Sequence, residues 1–543
     1  MPDQTISTDV LIVGAGPTGL MLAACLARLG VAAEIVDAKH GPTRESRALV
    51  VQARTLEVYD QLGVVGRAVA EGHPIDALVP GADDRPFGRF EFGRAGSRVS
   101  AFAEVLGLEQ SRNEALLADL VAAEGRDIRW EHRLTGFQLV AADGTEVPVG
   151  ESGSRGESGS RGADGAASRA VGVIATLDSP DGPVTVRARY CIGADGAHSL
   201  VRERLGVPFV GHTNPLTYFV ADAVGASGYV DGAVNLRIAA DDLLLAFPMG
   251  DGGRARLLGL VRDRDLDDEG AVSEPATRDR LERTFGVTYR DRTWFATYRV
   301  HHRLAERFRV GPCFLAGDAA HIHSPVGGQG MNTGLQEAHN LACALADVLI
   351  GGMPDARLDR YEAERRPVGR TLVETTDRMF AAITSECGRA RFIRGRLVPV
   401  LGPVLIRVAP LLLGGRRLFG YLSQTRIRYR MSPPGGDAVA LAPARARTPD
   451  DLVGRRLPWT GANHLALRAF TWQVHGYGAS AALVERLGRD LGIEAHLFPP
   501  DVHGVLRADR VYLVRRDGIV AAVASADPRR RGVPLAFTEQ LTR

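Results

Sequence analysis

The chain has 543 residues and almost no lysine: of its 66 basic residues only Lys39 is one. Arginine supplies the rest, and 64 acids bring the net charge to +2. That balance gives no reason to expect nucleic acid as a partner. Cysteine is also scarce. Cys25, Cys191, Cys313, Cys343 and Cys387 are scattered without a Cys-x-x-Cys pair, which argues against a zinc site and suits reduced thiols in the cytoplasm. Long apolar runs are missing as well. Residues 10–13 are too short for a signal peptide. Residues 397–413 are broken by Gly402, Pro403, Arg407 and Pro410, so they read as packed helices and not as a membrane span. No Ser/His/Asp or Cys/His arrangement offers a nucleophile. These absences predict a cytoplasmic protein without metal, nucleic-acid or membrane partners, as a monomer or homodimer. Its length predicts two or three domains.

What is present begins at the N-terminus. Asp9-Val-Leu-Ile-Val13 reads as a buried strand that enters Gly14-Ala-Gly16-Pro17-Thr18-Gly19. A helix over 20–29 follows, stopped by Gly30, then a strand over 33–36 ending in Asp37-Ala38. This is the order a dinucleotide site needs. Gly14 makes the turn, Gly16 admits a pyrophosphate, Gly19 lets helix and strand pack closely, and Asp37 accepts from ribose hydroxyls. The pattern alone does not separate FAD from NAD.

Two further elements repeat the theme. Residues 189–194 form a strand that ends in Asp195-Gly196, with Ser199 placed to cap a helix to Leu205. Residues 313–316 form another, followed by Gly317-Asp318, then Pro325, Gly327, Gly328, Gly330, Met331 and Asn332, and a helix over 334–349. Glycines there allow a backbone to approach a flat ligand, and the helix N-terminus beyond them offers unpaired N–H groups.

With these three motifs in this order, over about residues 5–375, the sequence resembles the FAD-dependent aromatic hydroxylases, the single-component flavoprotein monooxygenases. The resemblance implies FAD as cofactor, with NADPH or NADH as transient co-substrate. It implies insertion of one oxygen atom from O2 into an aromatic substrate through a flavin C4a-(hydro)peroxide, with no catalytic side chain. It places Asp318 on the ribityl chain and Asp195 where both FAD and NAD(P)H are served. Arg47 falls near the pyrophosphate, Gln110 near the ribityl and diphosphate, and Arg112 beside it. Pro325 and Gly328 line the flavin ring, and N–H groups through Asn332 hold its edge.

The expected fold class is α/β: a Rossmann-like FAD-binding domain, an inserted mostly antiparallel β-sheet substrate domain, and a C-terminal thioredoxin-like domain. The FAD domain takes 1–72, 109–206 and 295–380. The substrate domain takes 73–108 and 207–294, with strands expected at 217–223, 233–238, 243–247 and 255–261. A helical segment over 381–431 and a Pro/Gly/Ala linker over 432–449 lead to 450–543. That tail reads strand 469–474, helix 481–491 capped by Ser480, and strands 495–498, 510–514 and 519–523. It resembles the tail of the phenol- and polyketide-hydroxylase branch but holds no cysteine, which excludes redox chemistry there. The hexamer Glu-Ser-Gly-Ser-Arg-Gly, repeated at 151–156 and 157–162, predicts a disordered loop over about 148–170. His301 and His302 are adjacent on a strand and so should face apart, while His321 and His323 lie nearer the flavin element. The resemblance points to hydroxylation of a polycyclic aromatic polyketide. Baeyer–Villiger oxygenation, a simple phenol as substrate, and a non-catalytic flavin- or drug-binding protein stay open.

Overall fold

The computed structural model describes residues 4–43, 48–147, 169–262, 265–267, 271–324, 328–385, 387–413, 419–421, 423–431, 449–527, 529 and 532–542. Arg47, Pro325, Gly327 and the repeat loop over 148–168 lie outside the described residues.

The first sheet is built on parallel strands that read as continuous apolar runs because both faces are covered. Gln4–Val13 lies between Ala33–Val36 and Gly182–Gly193, and Cys313–Leu315 pairs in parallel with the end of the latter. Antiparallel strands Ala170–Ser179 and Arg133–Ala141 extend the other side. The register brings the strand ends into line. Val13 pairs with both Val36 and Gly193, and Gly193 pairs with Leu315. Four strands therefore end level, and the chain leaves them into Gly14, Asp37, Ala194-Asp195 and Ala316-Gly317-Asp318. Ligands gather at such a carboxyl edge in open α/β sheets.

Two helices pack over this edge. Pro17–Arg28 begins with Pro17 in the first turn, where a missing N–H costs nothing. Gly330–Leu349 is buried along most of its length. The expected strand at 33–36 and the turn after Val13 appear as read, and the last helix starts at Gly330, four residues before the expected 334. Ser199 does cap the short helix Leu200–Arg204, accepting the Arg202 N–H at 3.0 Å.

The second sheet runs in the order His321–Ile322, Asp291–Ala305, Phe209–Val224, Ala255–Leu260, Leu243–Pro248, Ala233–Ile238, Ala77–Ala82, Arg85–Pro86, with Phe90–Glu91 also on Ala77–Ala82. Within the excursion at 73–108, Ala77–Ala82, Arg85–Pro86 and Phe90–Glu91 join this sheet, while Val105–Gly107 pairs with His73–Ile75 and with Val50–Val51 in a separate three-stranded sheet. One expected boundary fails. Asp291–Ala305 pairs with Phe209–Val224 from Asp291 through Ala305, so the division at 294/295 cuts a single strand. Charges and aromatics mixed along 291–305 hid its alternation. On this sheet Phe219, Ala221 and Ala223 pack against the Glu274–Phe285 helix. Tyr218, Val220 and Asp222 therefore face the other way, toward the first domain.

After Asp359–Thr384, which carries Pro367 inside it, come Gly388–Phe392, a π turn Ile393–Leu397 and Val398–Leu413. The C-terminal sheet has the order Glu494–Phe498, Gln473–Tyr477, Arg510–Val514, Val520–Ser525; the first pair is parallel and the others antiparallel. Helix Ala481–Leu491 makes the crossover. Its N-cap is Ser480, but that side chain makes no capping bond. The first strand begins four residues later than expected, because Leu467–Ala469 forms a 3-10 turn. Among the described residues no helix is long and apolar enough to cross a membrane.

Candidate functional site

The glycines of residues 14–19 divide by what a side chain would meet. Gly14 has φ +106°, and a Cβ there would lie 2.3 Å from the Ala194 carbonyl oxygen. A Cβ on Gly19 would lie 1.8 Å from the Gly14 oxygen. Both glycines are dictated by the protein's own packing. Gly16 is different: its Cβ would meet nothing within 4 Å, at an extended backbone any residue adopts. It is also the N-cap of the Pro17–Arg28 helix, with no side-chain capping bond. Uncapped N–H groups thus point into open space, where an anion is favoured.

Thr18 joins the first motif to the third. A Cβ on Gly317 would come within 2.5 Å of its Oγ1, and one on Gly334 within 2.4 Å. Asp37 accepts the Ala15 N–H at 2.6 Å and the Lys39 N–H at 2.8 Å, with Lys39 Nζ 3.9 Å away. Half-buried Ala38 continues this turn. Asp195 stands beside Gly14 and accepts the Val201 N–H through Oδ2, while its buried Oδ1 has no partner among the described residues. Burial pushes its carboxyl above the ordinary range, against hydrogen bonds from Ser199 and Val201.

Around Asp318 the contrast is sharp. Residues 313–317, 319 and 320 are buried and Asp318 alone is exposed, lifted by a 3-10 turn that Gly317 enters at φ +61°. Glu337, fully buried, accepts the Gly317 N–H at 2.9 Å and bonds His321 Nε2 at 2.9 Å. Burial works to lower the His321 pKa, but the Glu337 carboxylate outweighs it and holds the imidazolium above its ordinary value. Glu337 was not singled out from the sequence; an acid on the buried face of an apolar helix was the available signal.

His323 stacks on His321 with ring centroids 6.2 Å apart. Its Nδ1 donates to the Ser324 carbonyl at 2.7 Å, which leaves Nε2 with a lone pair. Among the described residues that Nε2 is buried without a partner, and it lies 3.1 Å from where a Gly330 Cβ would be, at the N-terminus of the long helix. Burial pushes the His323 pKa down to about 3. His301 and His302 face apart as expected, His301 toward Thr213 and His302 stacked on His212.

Asn332 has all its side-chain capacity engaged. It accepts from the Gln52 N–H and Thr55 and donates to the Val50 and Gly328 carbonyls, each at 2.8 Å. Its backbone N–H, with those of Gly330 and Met331, lies in the uncapped first turn. Gly328 has φ +59° against Val50. Gln110 clasps Ala48 at 3.2 Å and Glu114 at 2.9 Å, beside the segment that carries Arg47. Arg112 is turned away to the Glu71 carbonyl.

The sequence model of the FAD binding domain family matches residues 7–172 and 163–376. The chain is 33% identical over 530 residues to a 6-methylpretetramide 4-monooxygenase of Streptomyces rimosus, covering 94% of this chain and 87% of that one. This chain belongs to the FAD-dependent aromatic hydroxylases. A rifampicin monooxygenase of Streptomyces venezuelae is 33% identical over 389 residues, 70% of this chain and 72% of that protein. Among solved structures, an anhydrotetracycline hydroxylase from Streptomyces rimosus superposes with a TM-score of 0.71 at 26% identity, covering 99% and 98% of the two chains. The hydroxylase is a monooxygenase with FAD as cofactor, and NAD(P)H is the reductant typical of its family.

Proposed function

We propose that this hydroxylase inserts oxygen into a polycyclic aromatic polyketide-type substrate. The level ending of four parallel strands carries the reading, since it sets the residue 14–19 turn, Asp37, Asp195 and Asp318 around one edge. FAD fits there on three observations: the open space over Gly16, the unpartnered Asp195 oxygen, and Asp318 exposed in a buried surround. The helix N-terminus behind Gly16, Pro17 and Thr18 would hold the pyrophosphate, Asp37 would take the ribose hydroxyls, and Asp318 would take the ribityl chain. Gln110 would flank it, as would Arg47, which lies outside the described residues and is assigned there by the family resemblance. N–H groups of Gly330, Met331 and Asn332 would meet the pyrimidine edge, where they would favour negative charge; Gly328 would border the ring, with Pro325, outside the described residues, assigned there by the family resemblance.

When bound, FAD accepts a hydride from NAD(P)H and activates O2; the protein supplies placement and dryness. Dryness comes from the inner face of the second sheet. Tyr218, Leu243, Leu260 and Val300 cluster there with Tyr298 alongside. Arg256 is buried on that face, paired through two bonds with Asp222 and 5.6 Å from the Trp294 ring. This wall is broad and aromatic enough for fused rings. The names of the relatives, acting on 6-methylpretetramide, anhydrotetracycline and rifampicin, support the same substrate class.

The substrate domain then runs from 207 to 305, with 73–108. The C-terminal strand order, with its one parallel pair and crossover helix, supports a thioredoxin-like module whose role without cysteine is packing. Five unpaired thiols support a cytoplasmic location. The test is a panel of anthraquinone-, angucycline- and tetracycline-type compounds with NADPH under air. Gain of one oxygen by mass with the ring skeleton retained is expected for at least one class. A panel in which only simple phenols react, or in which a ring ketone is expanded to a lactone, overturns the assignment.

A further inference from the structure

The helical segment over 388–413 is held on one side only. A Cβ on Gly402 would lie 2.3 Å from the Phe87 ring, and Arg394 donates to the Ala240 carbonyl at 2.9 Å and the Ser385 carbonyl at 2.6 Å. The Phe87 and Ala240 contacts seat it against the sheet's Arg85–Pro86 edge and the turn between Ala233–Ile238 and Leu243–Pro248. Among the described residues nothing covers the opposite, apolar side. Ile393, Leu397, Val400, Leu401, Val404 and Leu405 are 43, 41, 70, 49, 57 and 59% exposed. Their spacing of three and four residues makes one continuous stripe. A folded chain rarely leaves such a stripe open unless something covers it.

The charges around the stripe choose what. Between Cys387 and Leu413 the sequence has five arginines, Arg389, Arg391, Arg394, Arg396 and Arg407, and no Asp or Glu. Arg391 is paired with Asp241, but Arg389, Arg396 and Arg407 are exposed, and helical spacing puts them along the Val400 border of the stripe. A second copy of the same face would bring these arginines against their counterparts, and the segment itself carries no carboxylate to separate them, so self-pairing is repulsive. An apolar stripe bordered by arginines suits a surface that is apolar beneath and anionic on top: the stems lie along the apolar layer and the guanidinium groups meet phosphates.

We propose that this helical segment lies flat on an anionic lipid surface. The Val398–Leu413 helix would extend about 24 Å along it. The substrate sheet on which the segment packs then sits beside a phase that dissolves fused aromatic rings.

The test uses the full-length, FAD-loaded enzyme in vesicle flotation, with phosphatidylcholine alone and with phosphatidylcholine containing phosphatidylglycerol. Two double variants accompany it, Val404→Glu with Leu405→Glu, and Arg396→Glu with Arg407→Glu. All four positions are exposed, so flavin content and turnover in solution should hold. The wild type should float with anionic vesicles and much less with neutral ones. Each double variant should lower the bound fraction about tenfold or more, and high salt should act as the arginine variant does. A wild type that stays unbound with anionic vesicles overturns the proposal, as does either variant binding like wild type. So does light scattering that shows a dimer which the Val404/Leu405 variant dissociates, since a second copy would then occupy the face.

Discussion

Replacing Gly16 by valine separates the protein's own needs from those of its cofactor. Neither space nor backbone angle at Gly16 forbids a side chain. Loss of glycine at an N-cap costs under about 1 kcal/mol, and restriction of the unfolded chain returns about as much. The apoprotein should therefore melt within a few degrees of wild type. Cofactor binding should change far more, because the branched side chain takes the space of the pyrophosphate. Each charge-assisted N–H bond lost costs about 1.5–3 kcal/mol, so losing one or two weakens binding by roughly tenfold to ten-thousandfold. Gly19→Ala is the contrasting variant. Its Cβ would lie 1.8 Å from a carbonyl oxygen, so it should lose several kcal/mol of stability with or without FAD. The assays are thermal melting of the apoprotein and FAD titration by flavin fluorescence. Gly16→Val binding FAD within threefold of wild type would refute the placement.

Asp318→Ala should weaken FAD binding on the order of tenfold, by loss of charge-assisted bonds, and excess FAD should restore most turnover. If turnover stays low at saturating FAD, Asp318 acts in the reaction and not in retention. Arg515 holds buried Glu364 at 2.6 Å and Asp517 at 2.7 Å, so Arg515→Met should cost about 3–5 kcal/mol in chemical denaturation. Deleting residues 440–543 also removes Arg456 from Glu57 and Arg516 from Asp347, and should leave no folded, FAD-loaded protein; a well-folded truncation would contradict this. Burial pushes His339 and His464 down to about 3 and about 4. The unfolded chain binds those protons near pH 6.5 and the folded chain does not. Stability is therefore full above about pH 6.5 and falls toward pH 4 by up to about 1.4 kcal/mol per pH unit per group, which melting across that range checks.

The nucleotide-binding half was legible because each motif couples an apolar strand to residues whose spacing has one use. The residue 14–19 turn, Asp195 and Asp318 needed no tertiary information beyond the order of their strands. What the sequence could not show is how these turns are locked to one another. Thr18 wedged between Gly317 and Gly334, Asn332 bonded on all sides, and Glu337 bridging Gly317 to His321 depend on contacts between distant segments. Propensity carries no trace of these. The strand Asp291–Ala305 was hidden by its charges, and Ser480 shows that a residue suited to capping need not cap. The same limit applies to the C-terminal module. Its strands were largely visible, but its buried ion pairs to the FAD domain were not.

The most direct test of the central claim is turnover under 18O2 with NADPH and an accepted aromatic substrate, followed by mass spectrometry. The account predicts NADPH oxidation stimulated by substrate, and one 18O atom in the product with none from H2 18O. Oxidation indifferent to substrate, or a product without label, would contradict it.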